Sequence, residues 1–163
     1  MKKKCMLLSI CLMAVLGMMA NGKENRQLFD FGWQFTHNGK TINVDLPHDW
    51  DIYEGPNSGK GATGTGGGWF EGGKGEYRKT FATPEGELVK LHFEGVYQHA
   101  EVFVNGQSAG IQVVPPYRFD LRGLTADGEN TLVIEVATTL ERERGNTKDA
   151  APTGITGEVA LYV

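Results

Sequence analysis

The residues of this chain whose types could do chemistry are two glycine patterns, four histidines and a scatter of carboxylates and aromatic rings. Residues 55–75 hold ten glycines. Within them Gly59-Lys60-Gly61-Ala62-Thr63-Gly64 fits the dinucleotide pattern G-x-G-x-x-G, and Gly68 to Lys74 fits most of the P-loop spacing. Each pattern grips phosphate only where a strand feeds it and a helix follows, so that backbone amides and a helix N-terminus converge on the anion. The flanking sequence offers neither, and Gly75 stands where a P-loop needs Ser or Thr. The ordering cost of so many glycines makes this stretch a loop rather than a nucleotide site. His37, His48, His92 and His99 fall in no H-x-H or H-E-x-x-H arrangement, so no metal site and no cofactor is expected. The sequence places His37 in a turn, His92 on the polar face of a strand and His99 before a hairpin, and leaves His48 as the histidine to watch. Glu141 and Glu143 alternate with Arg142 and Arg144, the pattern of a solvated ion-paired stretch rather than an acid/base pair.

Aromatic rings set in connections offer a different chemistry. Trp50, Trp69, Tyr97 and Tyr117 lie in or beside predicted connections, and Asp49, Asn57, Arg118 and Arg142 could supply planar hydrogen-bonding partners around them. An apolar plate ringed by such groups is what recognition of a sugar ring requires. Trp33, Trp50 and Tyr97 are better read as filling a core, as aromatic residues of β-sandwiches commonly do. Trp69 sits in the glycine-rich loop with no core to enter, and it and Tyr117 are assigned a contact with sugar or with another domain.

The elements that must position these residues are strands. In LVKLHFEGVY, Val89, Leu91 and Phe93 alternate with Lys90, His92 and Glu94, a period of two with one buried face. Glu101 to Val104 runs into Asn105-Gly106, whose tolerance of positive φ suits a two-residue type I′ turn, and the chain returns through Ala109 to Val114 before Pro115-Pro116 ends the strand. Tyr117 to Leu121 is a short strand, and the ADGEN turn at 126–130 feeds a strand in which Leu132, Ile134 and Val136 share a face. Core strands are therefore expected at 88–94, 101–105, 109–114 and 131–137. Upstream, FDFGWQFT and Thr41 to Val44 form a first hairpin around His37-Asn38-Gly39-Lys40. LPHDW at 46–50 reads as a connection, GEYRKTF as a strand, Pro84 to Glu87 as a turn and GEVALYV as a closing strand. No helix is predicted over 88–136. Short strands at regular intervals with turn signals between them specify an all-β sandwich.

Lys2, Lys3 and Lys4 precede an apolar run from Cys5 to Met19, which is too short to span a membrane and fits a secretory signal peptide ending at Gly22. A lipoprotein anchor at Cys11 competes with this reading, against the bulky Ile10 before it. Both cysteines lie in this segment, so the domain at 23–163 is expected to carry no disulfide. That leaves about 140 residues, one domain of ordinary size. The full chain has a net charge of −4, and losing the three lysines makes the remainder more acidic. An acidic surface disfavours nucleic acid and anionic membrane as partners and is compatible with neutral sugars. A secreted or periplasmic location is the expectation.

FEGVYQHAEVFVNGQSAG, the PYRFDL run and DGENTLVIEV, together with LPHDW and GEYRKTF, resemble the N-terminal sugar-binding domain of glycoside hydrolase family 2, the family of β-galactosidases, β-glucuronidases and β-mannosidases. The resemblance covers most of the chain after about residue 28 and implies a galactose-binding-like jelly-roll sandwich that binds carbohydrate, such as a β-galactoside-type glycan. In that family the two catalytic glutamates belong to a (β/α)8 barrel C-terminal to this domain. Such a barrel needs about 250 residues, more than the whole chain supplies, so the chain is expected to be non-catalytic by itself, either a free carbohydrate-binding module or a fragment that docks on a hydrolase catalytic domain. Some family members place a substrate-contacting aspartate shortly before the final Gly-Ile strand. Asp149 lies near that place, with one residue fewer before Gly154-Ile155 and with Thr156-Gly157 where the family pattern has Tyr-Arg. The candidate contact residues are therefore Trp69, Tyr117, Arg118, Trp50, Asp49 and Asp149.

Overall fold

The computed structural model of the chain describes residues 25–55, 72–83, 90–137 and 153–163. The signal-peptide stretch, most of the glycine-rich loop with Trp69, the Pro84 to Glu87 turn and the charged stretch with Asp149 lie outside the described residues. Chain order among the described residues is β1 (Arg26–Leu28), β2 (Trp33–His37), β3 (Lys40–Val44), β4 (His48–Asp49), α1 (Trp50–Glu54), β5 (Lys74–Ala82), β6 (Lys90–Phe93), β7 (Val96–Tyr97), β8 (His99–Val104), β9 (Gln107–Gln112), β10 (Tyr117–Asp120), β11 (Glu129–Ala137), β12 (Gly154–Ile155) and β13 (Val159–Tyr162).

Both anticipated hairpins form, for the anticipated reason. Asn38 and Gly39 have φ of 48° and 76°, and Asn105 and Gly106 have φ of 51° and 78°. Paired positive values are the type I′ geometry that matches strand twist. The chain builds a six-stranded sheet in the order β3-β2-β5-β11-β8-β9, a four-stranded sheet β1-β13-β6-β10, and a small third sheet β4-β12-β7. At the centre, β5 and β11 pair antiparallel along their whole lengths, from Glu129 opposite Ala82 to Ala137 opposite Lys74. Alternation does what the sequence required of it. Trp33, Phe35, Tyr77, Val102, Leu132, Ile134 and Val136 of the larger sheet meet Leu91, Phe93, Phe119, Val159 and Leu161 of the smaller in one buried cluster. An all-β sandwich with one continuous core results. Asp30 helps to tie it, its carboxylate accepting the Val159 amide at 2.7 Å while its carbonyl accepts that of Leu46 at 2.8 Å.

Some expectations need correction. LPHDW is not a plain connection, because His48–Asp49 joins the third sheet and Trp50–Glu54 makes one turn of helix. The first hairpin strand starts at Trp33 rather than Phe29, and β1 pairs instead with β13 in the other sheet. His37 is the last residue of β2 and is 3% exposed, so it is a core residue and not a turn residue.

Candidate binding edge

Registers place one end of every large strand at the same end of the sandwich. His37, Lys74, His99, Gln112 and Ala137 all terminate there. The third sheet lies across this end and gathers distant segments, with Gly154 paired to Asp49 on one side and to Tyr97 on the other. Asp49 is the joint between β4 and α1. It has extended φ and ψ of −112° and 107°, and its carboxylate accepts the Asp51 amide at 3.1 Å and the Thr153 hydroxyl at 2.8 Å. This N-cap satisfies an amide that a helix start leaves without an intrahelical partner. Thr153 Oγ1 also accepts the Asp51 amide, at 3.0 Å. Gly154 permits the close pairing: its φ is 98°, and a Cβ there would stand 2.5 Å from both the His48 carbonyl oxygen and the Tyr77 hydroxyl.

Behind Asp49 lies an aromatic stack. The Trp50 ring is fully buried, 5.4 Å from Phe35 and 5.2 Å from His37 between centroids, close to parallel with both. His48 Nδ1 lies 2.9 Å from the Tyr77 hydroxyl, which donates to the His48 carbonyl at 3.2 Å. Burial pushes the Tyr77 phenol well above its ordinary pKa, and a backbone hydrogen bond from Ile155 offsets only part of this. Burial also lowers His48 below the ordinary histidine value, against the opposing charges of Asp49 and Glu54. Burial thus favours the neutral form of both groups, and the hydrogen bonds between them tie β4 to β5.

The outer side of the edge exposes apolar side chains. Ile52 and Tyr53 on α1 are 72% and 71% exposed, with the Tyr53 ring stacked on His48 at 5.0 Å. Val113 and Val114, which follow β9 at this end, are 42% and 71% exposed. Tyr117 is buried beside them, its hydroxyl directed at the carbonyl oxygens of Gln98 at 3.1 Å and Val113 at 3.3 Å.

The structure thus brings together Asp49 and Trp50 of the sequence-based candidates, but with Trp50 as core, offering no plate to a ligand. Tyr117 likewise turns its ring inward and anchors the Val113 backbone. Arg118 is exposed on β10 opposite His92, away from Asp49, and its backbone is held by the Gln112 side chain, which accepts from the Arg118 amide at 2.8 Å and donates to its carbonyl. Sequence reasoning missed Tyr77, Thr153 and Tyr53. The alternation in GEYRKTF places Tyr77 inward, but nothing local marks the histidine it would meet. Among the described residues no cluster of three His, Cys, Asp or Glu is placed to hold a metal. A shallow groove of about 400 Å3 on the outer face of the larger sheet includes Phe103, Val133, Glu76 and Glu135. Its carboxylates are already paired, Glu76 with Arg78 and Glu135 with Lys74.

The family profile described as glycosyl hydrolase 2 galactose-binding domain-like matches residues 30–160. The chain belongs to that family. This glycosyl hydrolase 2 galactose-binding-like domain is 43% identical over 102 residues to a β-galactosidase of Bacteroides ovatus, an alignment covering 57% of this chain and 12% of that enzyme. Among solved structures it resembles a glycosyl hydrolase family 2 member from Bacteroides cellulosilyticus, with a TM-score of 0.69 and 28% identity over 83% of this chain and 20% of that one. A β-glycosidase from Bacteroides vulgatus gives the same TM-score at 25% identity, over 84% of this chain and 20% of its own. The domain spans no more than about a fifth of the proteins it matches, as those shares show.

Proposed function

We propose that this domain is the accessory, non-catalytic front end of a β-galactosidase-like hydrolase, and that it works by docking its loop-bearing edge against a catalytic barrel. The observation that carries the proposal is the apolar character of that edge. Ile52, Tyr53, Val113 and Val114 are exposed at one end of the sandwich, as expected of a surface that another domain covers. The stretches at 56–71 and 138–152 leave from and return to described residues at this same end. Trp69 and Asp149 lie on those stretches, and their proposed role is contact with sugar or with the barrel. Burial of Trp50 and Tyr117 weakens the reading as a free carbohydrate-binding module, because the well-exposed aromatic rings among the described residues are Tyr53 at this edge and Phe31 away from it, too far apart to form one plate. Residues 1–22 are proposed to direct export, which would put the domain outside the cytoplasm.

The test mixes the domain with a family 2 catalytic barrel lacking its own N-terminal domain. A complex should form, and hydrolysis of a chromogenic β-galactoside should rise above that of the barrel alone, while the domain alone stays inactive. Turnover by the isolated domain, abolished by changing one carboxylate, would overturn the non-catalytic assignment. Glycan-array binding by the isolated domain without any barrel complex would replace docking with the free module.

A further inference from the structure

His37 lies at the buried end of β2 with both ring nitrogens directed at acceptors. Nδ1 is 2.9 Å from Glu54 Oε1, and Nε2 is 3.1 Å from the Gly72 carbonyl oxygen. Glu54 ends α1, and Gly72 lies two residues before β5, so the two partners stand on either side of the glycine-rich connection. A backbone carbonyl only accepts, and an ionised carboxylate only accepts. A neutral imidazole carries one N–H and can satisfy one of them; the imidazolium carries two and satisfies both. If Glu54 held the proton instead, the pair would still contain one proton more than a neutral ring facing an ionised carboxylate.

We propose that His37 is a proton-dependent clasp, joining β2 to both feet of the glycine-rich connection only while the His37–Glu54 pair holds this additional proton. Its geometry also supplies the open form. Asn38 Nδ2 lies 3.5 Å from His37 Nδ1, a long contact that can shorten when Nδ1 is bare and accepts from the amide, leaving Glu54 without its donor. The ring itself stays in place in either form, stacked on Trp50 and Phe35. The charged and titratable groups of the elements around it are few. Asp51 of α1 accepts the Gly72 amide at 3.3 Å, Lys40 is the cross-strand partner of His37 on β3, Lys74 of β5 pairs with Glu135, and His48 of β4 lies beyond the Phe35 ring. Opening the clasp releases the end of α1, the helix that presents Ile52 and Tyr53. The inference rests on the geometry of this chain and stands independently of docking to a barrel.

Nitrogen-15 NMR of the labelled chain tests it at the residue concerned. The form in which both His37 ring nitrogens carry protons should be the one that protects the Gly55 and Gly72 amides. As the pH rises and the ring loses one, protection of the Gly55 and Gly72 amides from hydrogen exchange, corrected for the intrinsic pH dependence, should fall about tenfold, the factor that one charge-assisted hydrogen bond is worth. Glu54→Gln keeps the buried ring and removes the carboxylate charge, and should flatten that response. Unchanged protection of these amides when the His37 ring passes from two protons to one, or an exchange profile in Glu54→Gln with the same pH dependence as the parent, would overturn the clasp. Failure of docking to a barrel with both NMR signatures present would count against the docking proposal alone.

Discussion

Gly154 is the residue at which the edge is least tolerant. Its φ of 98° excludes most side chains, and an added methyl would stand 2.5 Å from the His48 carbonyl oxygen, a backbone atom that cannot step aside. Gly154→Ala should therefore destabilise the domain by about 3 kcal/mol, read from chemical denaturation, through strain and overpacking together. His48, one contact away, sets a pH response of its own. Burial lowers its pKa in the folded state, so the unfolded chain takes up the proton first. Its contribution is complete above the ordinary histidine value of about 6.5 and is lost as the pH falls through the depressed folded-state value. Denaturation midpoints measured from pH 7 down to 5 should fall more steeply for the parent than for His48→Gln; parallel profiles would contradict this. Neither residue was legible as a structural keystone. Gly154-Ile155 was visible as a motif and His48 as a histidine worth watching, but their meeting depends on pairing across more than a hundred residues, which no local pattern encodes.

Strands were legible at the level of the element because alternation and turn chemistry are local. Asn38-Gly39 and Asn105-Gly106 fix their hairpins within four residues, and Leu132, Ile134 and Val136 declare their face without reference to a partner. The helix α1 was not legible for the converse reason. Five residues are too few to show a 3.6-residue period, and so short a helix depends on tertiary contacts. Its one local signal was Asp49 before Trp50-Asp51, an N-cap that also serves as the link to Thr153. Asp49→Ala should cost about 1–2 kcal/mol, the ordinary price of a lost cap, with the loss of the Thr153 bond placing it at the upper end. Asp49→Asn, which retains an acceptor oxygen, should recover most of it. Equal losses in the two variants would show that the cap contributes little. Trp50 belongs to the same element for a different reason. Its ring is the inner wall of the edge, and Trp50→Ala should cost about 3–5 kcal/mol as a cavity opens between Phe35 and His37.

For the whole molecule, fold and family were legible together, because the motifs that specify the sandwich are the ones that mark the family. The site was legible only in part. Tyr117 looked available for contact, yet the sandwich draws it inward as it does Trp50, while the apolar side chains exposed at this end include Ile52, Tyr53, Val113 and Val114, which carry no motif. Single exposed apolar residues need no explanation, but four at one end of a sandwich do. If that end docks against a barrel, the double variant Ile52→Ser, Val114→Ser should weaken the complex at least tenfold, the loss expected when two apolar side chains no longer leave water on binding. Both residues are more than 70% exposed, so folding stability should stay within about 0.5 kcal/mol of the parent. Phe31 provides the control. It is 64% exposed just before β2, whose other end, at His37, is the one that reaches the edge, so Phe31→Ser should leave docking unchanged. Titration of a barrel against the three proteins decides between specific docking and general apolar stickiness. Losses confined to the double variant would locate the interface at the edge, and equal losses in all variants would remove the edge as the docking surface.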